Sequence, residues 1–572
     1  MALATSAVTL AIVGSAVQAS TNSGIGLSGL PAGLNGAGVN VAQVEASLGS
    51  SSTAQSTAGG IAVTTITNND EFEANITSSN INNSAVSINY IDSNGQSHST
   101  IGGSSSVSTY YTSNGTVTTN SADAAYEIIS NDSDMESTHA DAVGGNFYGV
   151  DGVASGITNV DNYDAGYFQN NVLAASSYNP AIQQTSVTLS PSAILNSAKI
   201  VNQSFINRFP STATSTEVMN AQAQIDTEYD YYTNTYDTIF VSGVGDGTAN
   251  TEVATGSQIN PPATAYNSIS VGAYPYSTST TGIGPTSDGR DAPDIVAPAS
   301  ATSYSTPMVS GAAAIMVQAG TEADGYTTTD GFTKSAYTTD ATDERTIKAL
   351  LLNGAVKPND WTNSYTVNSG TYTYNPVSNT TTTPLDPRYG AGILNVDNAY
   401  TNLAAGRVAA SMVNNNTTAL TSPTISQNEG WDYSTISHGT HATQNVAHYV
   451  FSLSSAKSAY TLTSTLVWNA QTNAASFSET INNLDLNLYN SGDALVASSA
   501  SSYDNFQQLY TTDLAPGTYD LQVVDLGGAA TWASKTDTYA LAFNFQPVPE
   551  PAALFLLLSG LMGLALRRHC RA

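Results

Sequence analysis

The sequence predicts an α/β domain built on a mostly parallel sheet, then an antiparallel β-sandwich and a short C-terminal hydrophobic helix. Between Ala198 and Ala273, runs that read as buried strands alternate with a helical stretch. From Asp294 to Gly320 a strand end, a turn at Pro298 and a helix follow directly on one another. From Trp431 to Phe545, apolar and polar residues alternate in short runs separated by turn signals, the pattern of a β-sandwich.

Composition bounds the function before any motif is read. The chain has 572 residues with 14 Lys+Arg against 44 Asp+Glu, a net charge of −30. That balance argues against nucleic-acid binding and for a self-repelling surface. Charged residues make up only 10%, so Ser, Thr, Asn and Gly must build most of the polar surface. The single cysteine, Cys570, has no partner within the chain and cannot form an intramolecular disulfide.

In chain order, Gly38 to Glu45 reads as a buried strand ending in a carboxylate. Residues 50–121 are rich in Ser, Thr, Asn and Gly, with alternating patches such as Val86 to Ile91, and read as an inserted surface excursion. Thr138-His139-Ala140-Asp141 opens a helix, and Gly152-Val153-Ala154-Ser155-Gly156 follows it. Ala198 to Phe205 is a strand, Thr216 to Tyr232 a helix, Thr238 to Gly247 a strand and turn, and Ser268 to Ala273 another buried strand. After Pro298, Thr302-Ser303 starts a helix that tolerates Pro307 near its first turn and carries the small residues Ser310 to Ala314; Gly320 is its expected stop. Asp343 to Ala355 is amphipathic, with Ile347, Leu350 and Leu351 on one face.

A serine at a strand-to-helix junction usually caps the helix. It can also serve as a nucleophile, because the unpaired N–H groups of the first turn stabilise an oxyanion nearby. The string Ala301-Thr302-Ser303, with Ser305, Pro307, Val309 and Gly311 behind it, resembles the nucleophile motif of the subtilisin-like serine peptidases, with Ala301 in place of a glycine. Thr138-His139 with Val143 and Gly145 resembles that family's catalytic-histidine motif, Ala142 replacing its second histidine, and Tyr389 to Asp397 resembles its closing element.

The resemblance implies a triad of Glu45, His139 and Ser303, with Glu45 standing where the family carries Asp. It implies an oxyanion site from the Ser303 N–H and Asp246, the latter in a slot normally held by an Asn donor. It places Ser204, Phe205 and Ile206 along the edge that pairs with extended substrate. A second histidine string, Ser437-His438-Gly439-Thr440-His441, matches the family letters closely, but it follows Ser303 in the chain and runs into a strand. The acid–His–Ser chain order of subtilisin favours His139; geometry decides.

Both ends read as addresses. Leu3 to Val17 is a charge-free, weakly apolar run before Val17-Gln18-Ala19, a signal-peptide pattern. Val548-Pro549-Glu550-Pro551, the apolar run Ala552 to Leu566 and Arg567-Arg568 resemble the PEP-CTERM sorting signal of Gram-negative bacteria. That resemblance implies export, transient membrane association through the C-terminal helix, and an exosortase-type processing enzyme as partner. The lead before Glu45 is too short for the inhibitory pro-domain that most of the peptidase family carries.

The expected domains are 1–19 signal peptide, 20–405 peptidase, 406–430 linker, 431–546 sandwich and 547–572 sorting segment. The expected function is an exported serine endopeptidase acting on polypeptide at the cell surface or in the extracellular matrix. The alternative is a catalytically weak or inactive matrix or adhesion scaffold, suggested by Glu45, Asp246 and Ala301. No cofactor is expected; calcium, common in the family, has no dense ligand loop to mark a site.

Overall fold

The computed structural model describes residues 24–46, 56–58, 61–66, 74, 80–83, 85–91, 97–101, 109–111, 117–119, 138–173, 189–322, 340–368, 371–438, 445–528 and 530–549. The signal stretch, the apolar run from Ala552 and the Gly439-Thr440-His441 string lie outside these residues. Among the described residues, no helix is long and apolar enough to cross a membrane.

The chain begins with β1 (Val41–Glu45), a hairpin of β2 (Ser56–Ala58) and β3 (Ile61–Ile66), and the antiparallel pair β4 (Ser87–Ile91) and β5 (Ser97–Ile101). A further pair, β6 (Thr109–Tyr111) and β7 (Val117–Thr119), precedes helix α1 (Thr138–Phe147) and β8 (Asn159–Asp164). Then come β9 (Ile200–Gln203), β10 (Ile206–Arg208), helix α2 (Ser215–Tyr236), β11 (Ile239–Gly243), β12 (Ile269–Tyr274), β13 (Ile295–Pro298) and helix α3 (Thr302–Glu322). Helices α4 (Glu344–Gly354) and α5 (Val396–Ala405) complete the domain.

The main sheet has eight strands in the order β13-β12-β11-β9-β1-β8-β4-β5, parallel throughout except for the β4–β5 edge. Its central strands β1, β9 and β11 are buried at every position, as strands covered by helices on both faces must be. Each opens on apolar residues, and its polar ones, Gln43 and Glu45, Asn202 and Gln203, and Ser242, are buried with them.

The structure corrects three expectations of detail. Ser87–Ile91 is not part of a surface excursion; it pairs parallel with β8 and extends the main sheet. Alternation there reflects a strand next to the sheet edge with Ile88 and Ile91 buried and Ser87 and Asn89 half-buried, which a sequence reading cannot distinguish from an isolated ribbon. Gly320 does not stop its helix, which runs on to Glu322. A Cβ at Gly320 would sit 3.1 Å from the Ala341 carbonyl, so the glycine answers close packing instead. The stretch from Ala198 to Phe205 divides: β9 ends at Gln203, and the chain leaves the sheet at Ser204 to form β10.

The C-terminal region forms two packed antiparallel sheets. One contains Glu429–Ser437, Tyr460–Trp468, Phe506–Leu514 and Thr536–Pro547; the other is built around Val446–Leu453, Leu484–Asn490 and Gly517–Asp525. Trp468, Tyr449, Phe543 and Phe545 lie in the core between them. The first sheet also rests on the α/β domain, where Trp431, Val467, Phe506, Ala540 and Ala542 join the core of α3, α4 and α5.

Candidate active site

Glu45 is the last residue of β1 and is fully buried. Parallel strands end together at the carboxyl edge of their sheet, and helices that follow them start there. That edge collects Glu45, the start of α1 and the start of α3. His139 is the second residue of α1 and is 2% exposed. Its Nδ1 lies 3.2 Å from Glu45 Oε2, so the longer carboxylate of a glutamate still reaches the ring.

The other carboxylate oxygen is held by a residue the sequence reading missed. Gln43 Nε2 donates to Glu45 Oε1 at 2.9 Å and to the Ala140 carbonyl at 3.0 Å. The Tyr148 hydroxyl donates to Gln43 Oε1 at 2.6 Å. Gln43 and Glu45 are two apart on one strand and share a face. The signal was present, a buried polar residue at i−2 of the acid, but it has the same spelling as an ordinary strand position. The effect is to lock Glu45 in one orientation and tie β1 to the histidine helix.

Ser303 is the second residue of α3 and is half-buried. Its first turn is seated by buried hydroxyls: Ser305 Oγ and Thr306 Oγ1 both donate to the Thr302 carbonyl, at 3.0 and 2.7 Å. Below it, Ser310 Oγ donates to Asn202 Oδ1 at 2.9 Å, Asn202 Nδ2 to Ser204 Oγ at 3.0 Å, and Ser204 Oγ to the Ser303 carbonyl at 3.0 Å. This relay fixes Ser204 beside the nucleophile, and Ser303 Oγ points at the Ser204 carbonyl, 3.5 Å away. At Gly311, a Cβ would meet the Val153 Cβ at 2.7 Å. The small residue therefore lets α3 close on the segment after α1.

The two halves meet across Tyr304, whose ring centroid is 5.9 Å from that of His139. Burial raises the Tyr304 phenol above its ordinary range, and the negative charges of Asp246 and Glu45 push it further the same way. Among the described residues, no hydrogen bond links Ser303 to His139 in this state.

Asp246 lies at this edge as the sequence suggested, but as an acceptor. Its Oδ1 takes bonds from the Thr302 N–H at 2.9 Å and the Thr302 hydroxyl at 2.8 Å, capping α3. Its own N–H donates to Asn250 Oδ1 at 2.7 Å. Ser204, Phe205 and Ile206 are each under 7% exposed. Phe205 packs its ring into the core with Val44, Tyr229 and Phe240 instead of lining a groove, and Ile206 pairs with Ile66 of β3.

His438 belongs elsewhere. It ends the sandwich strand Glu429–Ser437, and its Nδ1 is 3.0 Å from Asp525 Oδ2. The ring that meets the acid is His139.

Among the described residues, two clusters of potential metal ligands occur away from this edge, His438 with Asp525 and Asp537, and Asp237 with Asp343 and Glu344. Each already has internal partners. Asn482 and Gln471 donate to Asp537, Arg345 forks onto Asp343 at 2.8 and 2.7 Å, and Lys199 pairs with Asp237 at 2.6 Å.

A mostly parallel sheet whose carboxyl edge carries a serine at a helix start is the arrangement that the subtilisin-like resemblance implied. Residues 111–392 match the Subtilase family, a stretch that takes in His139, Asp246 and Ser303 and leaves Glu45 upstream. No curated protein matches the sequence. Among solved structures, tripeptidyl peptidase 2 aligns over 76% of this chain at 12% identity with a TM-score of 0.30. The alignment spans 41% of the length of that chain. The pre-peptidase C-terminal domain of collagenase from Bacillus anthracis aligns over 22% of this chain and 98% of its own, at 15% identity with a TM-score of 0.15.

Proposed function

We propose that the chain is an exported serine endopeptidase with a Glu45–His139–Ser303 triad. The observation that carries this reading is the buried contact between Glu45 Oε2 and His139 Nδ1 at 3.2 Å, with the His139 ring 5.9 Å from that of Tyr304, the residue after Ser303. A proton on Nδ1, the nitrogen that faces the carboxylate, leaves Nε2 as the basic nitrogen.

In the proposed reaction Ser303 Oγ attacks the scissile carbonyl while His139 Nε2 takes its proton. The Ser303 N–H faces the oxygen as it gains charge, since the Thr302 N–H is taken by Asp246 and the Tyr304 and Ser305 N–H groups by the Ala301 carbonyl. Collapse expels the amine, which receives the proton from His139, and leaves an acyl-enzyme. Water, activated by the same imidazole, then releases the acid. Glu45 does not become protonated; it orients the ring and offsets the imidazolium charge. The substrate class is extended polypeptide. Export by the 1–19 signal, transient anchoring by the C-terminal apolar run and exosortase-type release at a Gram-negative cell surface belong to the same proposal and rest on sequence patterns alone.

A fluorophosphonate probe tests the chemistry. The intact protein should be labelled, Ser303→Ala should lose the label, and Glu45→Gln should slow labelling by about 10³–10⁴-fold through loss of the correct tautomer. Labelling that persists in Ser303→Ala, or is absent from the intact protein, rejects the enzyme. A second reading, a subtilisin-like scaffold with weak or no activity, is favoured by one observation: Asp246 stands where a donor is needed, yet it accepts.

A further inference from the structure

A peptide whose scissile carbonyl lies at Ser303 must pass along the backbone that leads away from it. That backbone begins at the Ser204 carbonyl, 3.5 Å from Ser303 Oγ, and continues as β10. The Asn207 N–H is turned away, donating to the Pro261 carbonyl at 2.7 Å. Strand residues alternate, so Ile206 and Arg208 present their N–H and C=O groups to the opposite edge. An extended substrate would add to that edge as a strand.

The edge is already taken. Strand β3 pairs antiparallel with β10 in the register Ile206↔Ile66, Asn207↔Thr65 and Arg208↔Thr64. β3 is held from behind by β2, and Ile61 packs against the core that contains Phe205 and Tyr229. Its polarity matters. Ile66 pairs nearest to Ser204, so β3 runs from amino to carboxyl end toward the nucleophile. A substrate strand bound with this polarity would lay its acyl-side residues along β10 and deliver its carbonyl to Ser303. The same face is closed to solvent, with His139 and Ser204 each 2% exposed.

We propose that the β2–β3 hairpin is an internal occupant of the substrate strand position, an autoinhibitory contact that an incoming polypeptide must displace. The inference deepens the peptidase reading and rests on it for its consequence, but the occupancy can be measured without catalysis. The ladder has three residue pairs and one half-buried apolar anchor, Ile61. It is short enough to be exchanged for a longer substrate strand.

The test replaces residues 56–66 by Gly-Ser-Gly in the Ser303→Ala background. Its probe is the acetylated hexapeptide Ile-Ala-Val-Thr-Thr-Ile, the sequence of β3 itself, with binding followed by calorimetry. The peptide should bind the replaced variant at least tenfold more tightly than the Ser303→Ala parent. Equal or weaker binding overturns the proposal. With Ser303 restored, the replacement should lower KM for an extended fluorogenic peptide several-fold and leave the rate of labelling by a small fluorophosphonate unchanged. A loss of turnover with unchanged labelling would make the hairpin a required wall of the cleft and would also overturn it. A protein that never labels removes the peptidase reading, while the calorimetric arm still decides occupancy. Should the replacement fail to fold, Thr64→Pro serves instead. It deletes one donor facing β10 and leaves the β2 ladder, whose bonds come from the alternate residues.

Discussion

At position 246 a carboxylate accepts two hydrogen bonds from Thr302 through one oxygen, and so anchors the first turn on which Ser303 rides. An ionised carboxylate has no hydrogen to give an oxyanion, and its charge opposes the one that develops there. An asparagine could do both tasks, with Oδ1 accepting from Thr302 and Nδ2 left to donate. One such donor is worth about 10²–10³ in kcat at full effect. Asp246→Asn is therefore expected to raise kcat on an extended peptide by about tenfold or more, with little change in KM. A rate equal to or below that of the parent would show that Asp246 is needed as a charge, or that another group supplies the donor. The residue was legible as an outlier from the Asn of the resembling motif. Its bond to Thr302 was not, because the two are 56 positions apart and only the fold brings them together. Glu45 and His139 were legible for the opposite reason. The end of a buried strand and the start of a helix are local features, and the sheet edge does the rest. Gln43 and Tyr148 were hidden because polar residues inside buried elements have no distinctive spelling.

Among the elements, α2 carries a stability signature. It buries Asp226 and Asp230 on one face and Glu228 on another. Burial raises Asp226 to about 7, although Arg290 and the Thr264 hydroxyl pull it back and Asp230 and Asp288 add to the rise. Burial likewise raises Glu228 to about 7 against the opposing bond from Gln224. Asp230 is raised too, chiefly by burial, with Glu479, Asn267, Arg290 and Tyr266 around it working against the shift. The folded chain thus keeps protons that the unfolded chain releases near pH 4. Stability from these groups is complete below about pH 4 and is lost as pH rises through about 7, because the native state binds more protons across that window. The melting temperature should be higher at pH 5 than at pH 8 at fixed ionic strength, and Glu228→Gln should narrow the gap. A higher melting temperature at pH 8 would contradict this assignment. The helix was read from the sequence at Thr216 to Tyr232; it runs from Ser215 to Tyr236, and the Thr214–Glu217 capping box that starts it was not read. Its buried acids were not, since a charged residue on a helix is normally on the wet face.

Across the whole molecule, five residues of the first sandwich sheet join the core of the α/β domain, a seam expected to make the two unfold together. Trp431 is fully buried under the peptidase helices, and its indole N–H donates to the Leu403 carbonyl at 3.2 Å. Around it, Tyr433 donates to Asp343 at 2.8 Å, Asn402 donates to the Phe543 carbonyl at 2.8 Å, and the Asp291 N–H donates to Asp504 at 2.9 Å. The sequence reading placed a polar linker at 406–430; in it Arg407 bonds Asp432, the Val408 N–H donates to the Trp431 carbonyl at 2.8 Å, and the Val408 side chain enters the sandwich core. Composition separates two patterns of periodicity but carries no trace of how their faces meet. Domains joined by a wet, polar contact melt apart; domains that share apolar burial melt together. Calorimetry of the intact chain should therefore give one endotherm. Trp431→Ala should destabilise it by about 3–5 kcal/mol, the range for truncating a buried aromatic side chain. The melting of the peptidase helices and of the sandwich strands should fall together. Two resolved endotherms in the parent, or a variant in which only the sandwich softens, would mean that the shared core does not couple the two halves.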